Sequence, residues 1–129
     1  MKKVWVNGCF DVLHHAHFKL LEHAASFGEL LIVGIDSDKR VKELKGDDRP
    51  FHTQEERKYN LERVKGVKRV VIFDSPEMLE ELIKTFEPDV FVIGSDYKDK
   101  AVIGSEYAGE LIFFERIGDY STTSILEKK

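Results

Sequence analysis

The chain has 129 residues, 42% of them hydrophobic, and a formal net charge of −4. This length and apolar content predict one compact globular domain over residues 1–129. The acidic balance argues against nucleic-acid binding, and no apolar run approaches the roughly 20 residues of a membrane-spanning helix. Cys9 is the only cysteine, so an internal disulfide and a multi-cysteine zinc site are both excluded. We therefore expect a cytoplasmic protein without membrane contact and without a metal held by the protein itself.

Short apolar runs alternate with helical patterns along the chain, which is typical of parallel βαβ units. The predicted strands are Val4–Asn7, Leu30–Ile35, Arg69–Phe73, Val90–Ile93 and Leu111–Phe114. Helices are predicted over His15–Phe27, Thr53–Val64 and Pro76–Phe86, with a last one beginning at Ser124. Crossovers between parallel strands are right-handed. The sequence thus predicts an α/β fold, a Rossmann-like doubly wound sheet of five parallel strands, whose ligands bind beyond the carboxyl ends of the strands.

The turn after the first strand carries the most informative residues. A buried strand ends at Gly8, and a helix opens near His14 with its free N–H groups facing the turn. His14 and His17 are three residues apart, so both imidazoles share one helical face and can reach one anion. A histidine pair alone is as consistent with a solvated surface pair as with catalysis. The preceding strand, Gly8 and the polar Asp11 favour phosphate chemistry.

Three further groups of polar residues follow predicted strands and are expected in the same crevice. They are residues 36–38, Gly94 with Ser95, Asp96 and Tyr97, and residues 116–122. In the last group Ser121 is a good N-cap, so Ser121-Thr122-Thr123 either simply starts a helix or also binds phosphate together with Arg116. Residues 42–57 show no clear strand, and this segment is either a lid or a solvated surface turn.

These motifs resemble those of the cytidylyltransferase-like nucleotidyltransferases. Gly8-Cys9-Phe10-Asp11 and the His14-x-x-His17 pair are similar to the first family motif, in which Ala16 stands where the family has glycine. Arg116 and Ser121-Thr122-Thr123 are similar to the second, although Asp119 occupies its glycine position. The segment Lys45-Gly46-x-x-Arg49-Pro50 resembles the heptose 1-phosphate adenylyltransferase domain, which uses ATP. The chain length and the C-terminal motif are also similar to glycerol-3-phosphate cytidylyltransferase, which uses CTP.

The resemblance implies a role for each matching residue. Catalytic roles fall to His14, His17, Lys45 and Arg116. Lys45 is the expected contact of the triphosphate, and Arg57 is the expected contact of the acceptor phosphate. The implied nucleotide-binding residues are Gly8, Cys9, Phe10, Asp11, Gly94, Asp96, Tyr97, Ser121 and Thr122. Asp11 is expected either to orient a histidine or to touch Mg²⁺, and the histidines are expected to be protonated beside phosphate. Arg57 has an alternative use, which is pairing with Glu56 or Glu62 on its own helix.

The expected reaction transfers a nucleotidyl group from a nucleoside triphosphate to a sugar or polyol phosphate and releases pyrophosphate. Mg²⁺ is the expected cofactor, bound through the triphosphate. Cys9 has no evident base and is expected to pack beside the nucleotide. A homodimer is expected, and the aromatic residues Phe18, Phe51 and Tyr59 could contribute to its interface. The alternatives are a non-catalytic nucleotide-binding module, which Ala16 and Asp119 motivate, and an interaction protein that uses the same fold for unrelated ends.

Overall fold

A computed structural model of the chain describes residues 1–94 and 102–114. Within these ranges the strands are β1 (Lys3–Gly8), β2 (Leu30–Asp36), β3 (Val67–Phe73), β4 (Val90–Gly94) and β5 (Glu110–Phe114). The helices are α1 (His15–Ala25), α2 (Asp38–Lys45), α3 (Gln54–Glu62) and α4 (Pro76–Phe86), and a short 3-10 helix covers Ser105–Tyr107. Every predicted strand in the chain is therefore found, each within two residues of its expected bounds.

The described strands form one parallel sheet in the order β3-β2-β1-β4-β5. From β1 the chain first builds outward through β2 to β3 and then returns to the other side of β1 for β4 and β5. This reversal creates a topological switch point between β1 and β4, where ligands of open α/β sheets bind. The predicted doubly wound, Rossmann-like sheet is confirmed.

Alternate strand residues face opposite sides of the sheet and build two hydrophobic cores. On one side Val4, Val6, Leu31 and Val33 pack with Leu21 of α1 and its neighbours. On the other side Trp5, Ile32, Phe73 and Phe91 pack with Leu79 and Ile83 of α4. Helices thus cover both sides of the sheet. The central strands are apolar at nearly every position, as the sequence predicted for fully buried parallel strands.

Gly34 leaves space for Trp5, the largest side chain of the core that α4 covers. A Cβ atom at Gly34 would lie 2.6 Å from Cζ2 of Trp5, a distance that real Cβ atoms essentially never adopt. The indole nitrogen of Trp5 in turn donates a hydrogen bond to Oδ1 of Asn7, 2.9 Å away. The packing of β1 against β2 thereby fixes the amide of Asn7 at the carboxyl end of the sheet.

Helix α2 is the element that the sequence prediction missed. It begins after the N-cap Ser37, whose hydroxyl accepts the N–H of Arg40, and it ends at Gly46, whose φ is 104°. Val41 is its only buried residue, so it shows no apolar periodicity by which it could be recognised. The segment expected as an irregular stretch from residue 42 therefore begins as helix and becomes a turn only after Lys45.

Candidate functional site

The turn between β1 and α1 is held in a conformation that ordinary side chains avoid. Phe10 has a φ of 50°, in the left-handed region. Phe10 is only 4% exposed, and a Cβ added at Gly8 would lie 3.1 Å from its ring atom Cε2. Gly8 therefore leaves room for Phe10 to fold back into the core. The side chain of Phe10 anchors the turn to the core, and its contact with a nucleotide stays a prediction.

His14 and His17 cap the N-terminus of α1 reciprocally. Nδ1 of His14 accepts the backbone N–H of Ala16 at 3.2 Å, and Nδ1 of His17 accepts the backbone N–H of His14 at 3.3 Å. The two rings are stacked with centroids 3.8 Å apart. The predicted sharing of one helix face is therefore confirmed geometrically.

This capping arrangement also assigns the ring protons. A neutral imidazole carries one proton, and an Nδ1 atom that accepts a hydrogen bond leaves that proton on Nε2. Each ring is then a hydrogen-bond donor through Nε2. The protonation of both histidines beside phosphate stays a prediction.

Asp11 has a different role from the two that were predicted. The residue is 1% exposed, and its carboxylate accepts the backbone N–H groups of Phe51 and His52, each at 2.9 Å. Both oxygens are thus used to hold the segment before α3 against the β1–α1 turn. Asp11 is therefore a structural tie between two loops, a role that the sequence did not predict. Its contacts with a nucleotide, a histidine or Mg²⁺ stay predictions.

Arg57 was predicted to bind the acceptor phosphate, and its surroundings contradict that role. The side chain is fully buried. Its guanidinium donates to the carbonyl oxygens of Cys9, Asp36 and His52 and forms a 2.8 Å ion pair with Asp38. The alternative pairing with Glu56 or Glu62 is also wrong, because Asp38 takes that place. A guanidinium with these four contacts joins the turn, β2, α2 and the segment before α3.

A cavity of about 280 Å³ opens at the carboxyl ends of β1 to β4. It contains three predicted site residues, Gly8, Cys9 and Lys45, and Lys45 reaches it from the last position of α2. The remaining lining residues are Asn7, Asp36, Arg40, Leu44, Phe73, Leu79, Ile93, Val102 and Ile103. Gly94 ends β4 directly after the lining residue Ile93. One crevice therefore collects residues at the ends of β1 and β2, as the sequence predicted, and also Phe73 of β3. His14 and His17 are not among its described lining residues, and residues 116–122 lie outside the described residues.

Two polar residues of this cavity extend the predicted set. Asp36 was expected in the crevice without a role, and Arg40 was not expected at all because α2 was missed. Oδ1 of Asp36 and Nε of Arg40 form an ion pair at 2.7 Å. The i, i+4 spacing of an acid and a base was the available sequence signal.

Burial raises the pKa of the Cys9 thiol above its ordinary value, although the nearby cations Lys45 and Arg57 act in the opposite direction. A raised pKa keeps the thiol protonated, whereas a nucleophilic cysteine needs its thiolate. This environment agrees with the prediction that Cys9 packs and does not attack.

Five predicted site residues lie outside the described residues: Asp96, Tyr97, Arg116, Ser121 and Thr122. The predicted helix from Ser124 lies there too. Within residues 1–94 and 102–114, no group of three or more His, Cys, Asp or Glu side chains could hold a metal ion. The helices of the same ranges include none that is long and apolar enough to cross a membrane.

The fold and the site together define a Rossmann-like α/β domain with a histidine-capped helix at its switch point. The family described as cytidylyltransferase-like matches residues 5–127. The chain belongs to this family, as its motifs predicted.

The chain is also similar to several longer proteins. It is 47% identical over 125 residues to the bifunctional protein HldE of a Nitratiruptor species, a match that covers 97% of this chain and 27% of that protein. It is 44% identical over 127 residues to the bifunctional protein HldE of a Helicobacter pylori strain, covering 98% of this chain and 27% of the relative. The chain thus spans about a quarter of the length of the curated relatives it matches.

The fold is also similar to that of a solved structure. It is a crystal structure of the lipopolysaccharide core biosynthesis protein from Thermoplasma volcanium, with a TM-score of 0.69 and 23% sequence identity. The match covers 94% of this chain and 99% of the other. At this identity the likeness establishes the architecture alone.

Proposed function

We propose that this chain is a nucleotidyltransferase that transfers a nucleotidyl group from a nucleoside triphosphate to a sugar or polyol phosphate of the heptose 1-phosphate type, releasing pyrophosphate. The observation that carries the proposal is the stacked His14–His17 pair, capped through Nδ1 at the start of α1. Membership of the cytidylyltransferase-like family and the similarity to HldE proteins support it.

In the proposed reaction, a phosphate oxygen of the acceptor attacks the α-phosphorus of the triphosphate. The new P–O bond forms as the bond to the β-phosphate breaks, and the electron pair leaves with pyrophosphate. Negative charge spreads over the transition state, so catalysis depends on preorganised donors and on the alignment of two anions. The chain forms no covalent intermediate in this scheme.

The donors proposed for this charge are Nε2–H of His14 and Nε2–H of His17, at the positive end of the α1 dipole. The ammonium of Lys45 would neutralise phosphate charge at the cavity next to Gly8 and Cys9. Arg116, Ser121 and Thr122 are proposed to contact the nucleotide from the C-terminal segment, together with Asp96 and Tyr97 from the segment after β4. Arg57 and Asp11 act indirectly, by holding the loops that carry these groups.

Mg²⁺ is the proposed cofactor, and its proposed ligands are triphosphate oxygens. In this mode the triphosphate supplies the ligands, so few protein ligands are needed. When bound, the ion would neutralise the leaving pyrophosphate.

ATP is the favoured donor, because the segment from Lys45 to Pro50 resembles the heptose 1-phosphate adenylyltransferase domain. CTP with glycerol 3-phosphate, giving CDP-glycerol, is the second candidate. A non-catalytic nucleotide-binding module is the third, and Ala16 motivates it, because this residue is 9% exposed and adds a methyl group beside the capped N–H.

A homodimer in the cytoplasm is the proposed state of the protein. Three aromatic side chains are exposed: Phe18 to 45%, Phe51 to 52% and Tyr59 to 57%. None of them is buried in the core of the described residues. A groove of about 660 Å³ between α1 and α3 includes Phe18. An interface that covers this apolar surface would explain the exposure. Sedimentation equilibrium of wild type and Phe18→Glu tests it.

The proposed activity is tested by pyrophosphate release with Mg²⁺ and each of ATP, CTP, GTP and UTP, against heptose 1-phosphate and glycerol 3-phosphate. His17→Ala is the control variant. Turnover with one pair, lost in the variant, is the expected result. Nucleotide binding without turnover for any acceptor would instead support the non-catalytic module.

A further inference from the structure

The cavity at the carboxyl ends of β1 to β4 is small for a site that must hold two substrates. Its volume is about 280 Å³, at the lower end of the range for ligand pockets, which begins at about 300 Å³. The cavity therefore suits one compact substrate or one part of a larger one.

The cavity wall is mostly apolar, with a few polar side chains among its lining. Phe73, Leu79 and Ile93 supply apolar surface, whereas Asp36 and Arg40 supply an acid and a base. A mainly apolar pocket with a few fixed polar groups is the usual form of a specific small-molecule site.

The acid–base pair is fixed in place. Its 2.7 Å contact uses only Nε of Arg40 and one carboxylate oxygen of Asp36, and the two side chains are 16% and 13% exposed. The guanidinium also lies over the ring of Phe73, 5.7 Å from its centroid. The backbone carbonyl of Asp36 is held by Nη1 of Arg57 at 2.7 Å. Contacts of the two side chains and of the Asp36 backbone therefore hold the pair in one geometry.

We propose that Asp36 and Arg40 are the specificity-determining pair for the acceptor, and that they read the hydroxyl groups of a sugar phosphate in this cavity. The inference rests on the proposed function and adds to it the residues that select the acceptor. A hydroxyl group both donates and accepts hydrogen bonds. It can donate to the second oxygen of Asp36 and accept from a terminal nitrogen of Arg40, neither of which the ion pair uses.

The charges favour a sugar over a triphosphate at this pair. The carboxylate of Asp36 would repel an oligophosphate, and the Arg40 charge beside it is already balanced. Lys45, which lines the same cavity, supplies a cation that the acceptor's single phosphate can share with the triphosphate. A polyhydroxylated monophosphate therefore matches the polar groups of the cavity, whereas glycerol 3-phosphate offers fewer hydroxyl groups.

The test uses Asp36→Asn, Arg40→Met and the double variant, with Lys39→Met as the matched control. Lys39 is a cation in the same turn of α2 and does not line the cavity. Circular dichroism first establishes that each variant is folded. Steady-state kinetics then gives KM and kcat for heptose 1-phosphate, glycerol 3-phosphate and the triphosphate, and calorimetry gives the affinity of heptose 1-phosphate directly.

We expect each single variant to raise KM and Kd for heptose 1-phosphate about tenfold to hundredfold, because one partner of a partly buried polar set is left unpaired. The KM for the triphosphate should change by less than about threefold, and the preference for heptose 1-phosphate over glycerol 3-phosphate should fall. The double variant should lose less than the product of the single effects, since the two residues act as a pair. Lys39→Met should behave as wild type.

Unchanged KM and Kd for heptose 1-phosphate in the folded variants would overturn the inference while leaving an active wild type as a nucleotidyltransferase. Equal losses for the sugar phosphate and the triphosphate would also overturn it, because they would indicate a general structural role. A wild type that binds heptose 1-phosphate but never releases pyrophosphate would refute the proposed function, and the calorimetric comparison would still decide the role of the pair.

Discussion

Nη1 of Arg57 donates a hydrogen bond to the backbone carbonyl of Cys9, 3.0 Å away, across 48 residues of sequence. This contact joins helix α3 to the turn that leads into the His14–His17 pair. A guanidinium in such a position can influence the site without touching a substrate, since it fixes the backbone from which the histidine cap starts.

Replacing Arg57 should destabilise the protein strongly. Arg57→Ala leaves three carbonyl oxygens without their donor and Asp38 without its partner, which predicts a loss of about 3–5 kcal/mol. Arg57→Lys should recover only part of this loss, because an ammonium cannot span the same set of acceptors. Urea unfolding measures both. Arg63→Ala, an exposed arginine just after the same helix, is the control, and an equal loss there would contradict the assignment.

The two roles of His14 can be separated by choice of substitution. His14→Asn should keep the N-cap and the stability within about 0.5 kcal/mol, because asparagine is a favourable capping residue. It should lower turnover about 10²–10³-fold, because the Nε2 donor is lost. His14→Ala should lose both, with a stability cost of about 0.5–2 kcal/mol. Urea unfolding and pyrophosphate release are the measurements, and wild-type turnover in His14→Asn would exclude His14 as a phosphate donor.

Cys9 should react slowly with iodoacetamide. Burial raises the pKa of its thiol, so the native protein should be alkylated more slowly at neutral pH than the same chain unfolded in urea. Because Cys9 is the only cysteine, mass spectrometry reports its modification without ambiguity. Lys45→Gln should slow the reaction further, since the Lys45 charge lowers the pKa. Faster alkylation of the native protein would identify an activated thiolate and overturn this interpretation.

The capping box of α3 should make stability depend on pH. The backbone N–H of Thr53 donates to the Glu56 carboxylate at 2.9 Å and lowers its pKa in the folded protein. The unfolded chain binds this proton more tightly, so the stabilisation is complete above the ordinary value of 4.5 and is lost as pH falls through the lowered folded pKa. Wild type should therefore exceed Glu56→Ala in Tm at neutral pH, and the difference should shrink in acid.

Glu56→Gln is the matched variant for this measurement. Glutamine can still accept the N–H of the N-cap residue, but it does not titrate in this range. Its difference in Tm from Glu56→Ala should therefore stay constant as pH falls. A pH-independent difference between wild type and Glu56→Ala would show that the carboxylate contact does not contribute.

Much of the site could be predicted because its residues are close together in sequence. Gly8 and the His14–His17 pair belong to one strand–turn–helix unit, so local spacing alone placed both rings on one helix face. The parallel order of strands placed Cys9 at the crevice, whereas the phosphate role of Lys45 came from the family resemblance, and Lys45 lines the same cavity from the end of an unrecognised helix. Asp36 was placed at the crevice by the same rule, without its partner.

The sequence by itself determined the strand–helix alternation, the five-stranded doubly wound sheet and the family, since these follow from apolar periodicity and short local motifs. Only the tertiary structure decided the roles of Asp11, Arg57 and Arg40. Sequence patterns record which residue types are present, but not which distant backbone groups need a partner. Burial determines these contacts. Asp11 accepts the N–H groups of residues 51 and 52, and Arg57 donates to carbonyl oxygens from three separate segments. Polar groups removed from water must be paired, and the fold alone sets which ones meet.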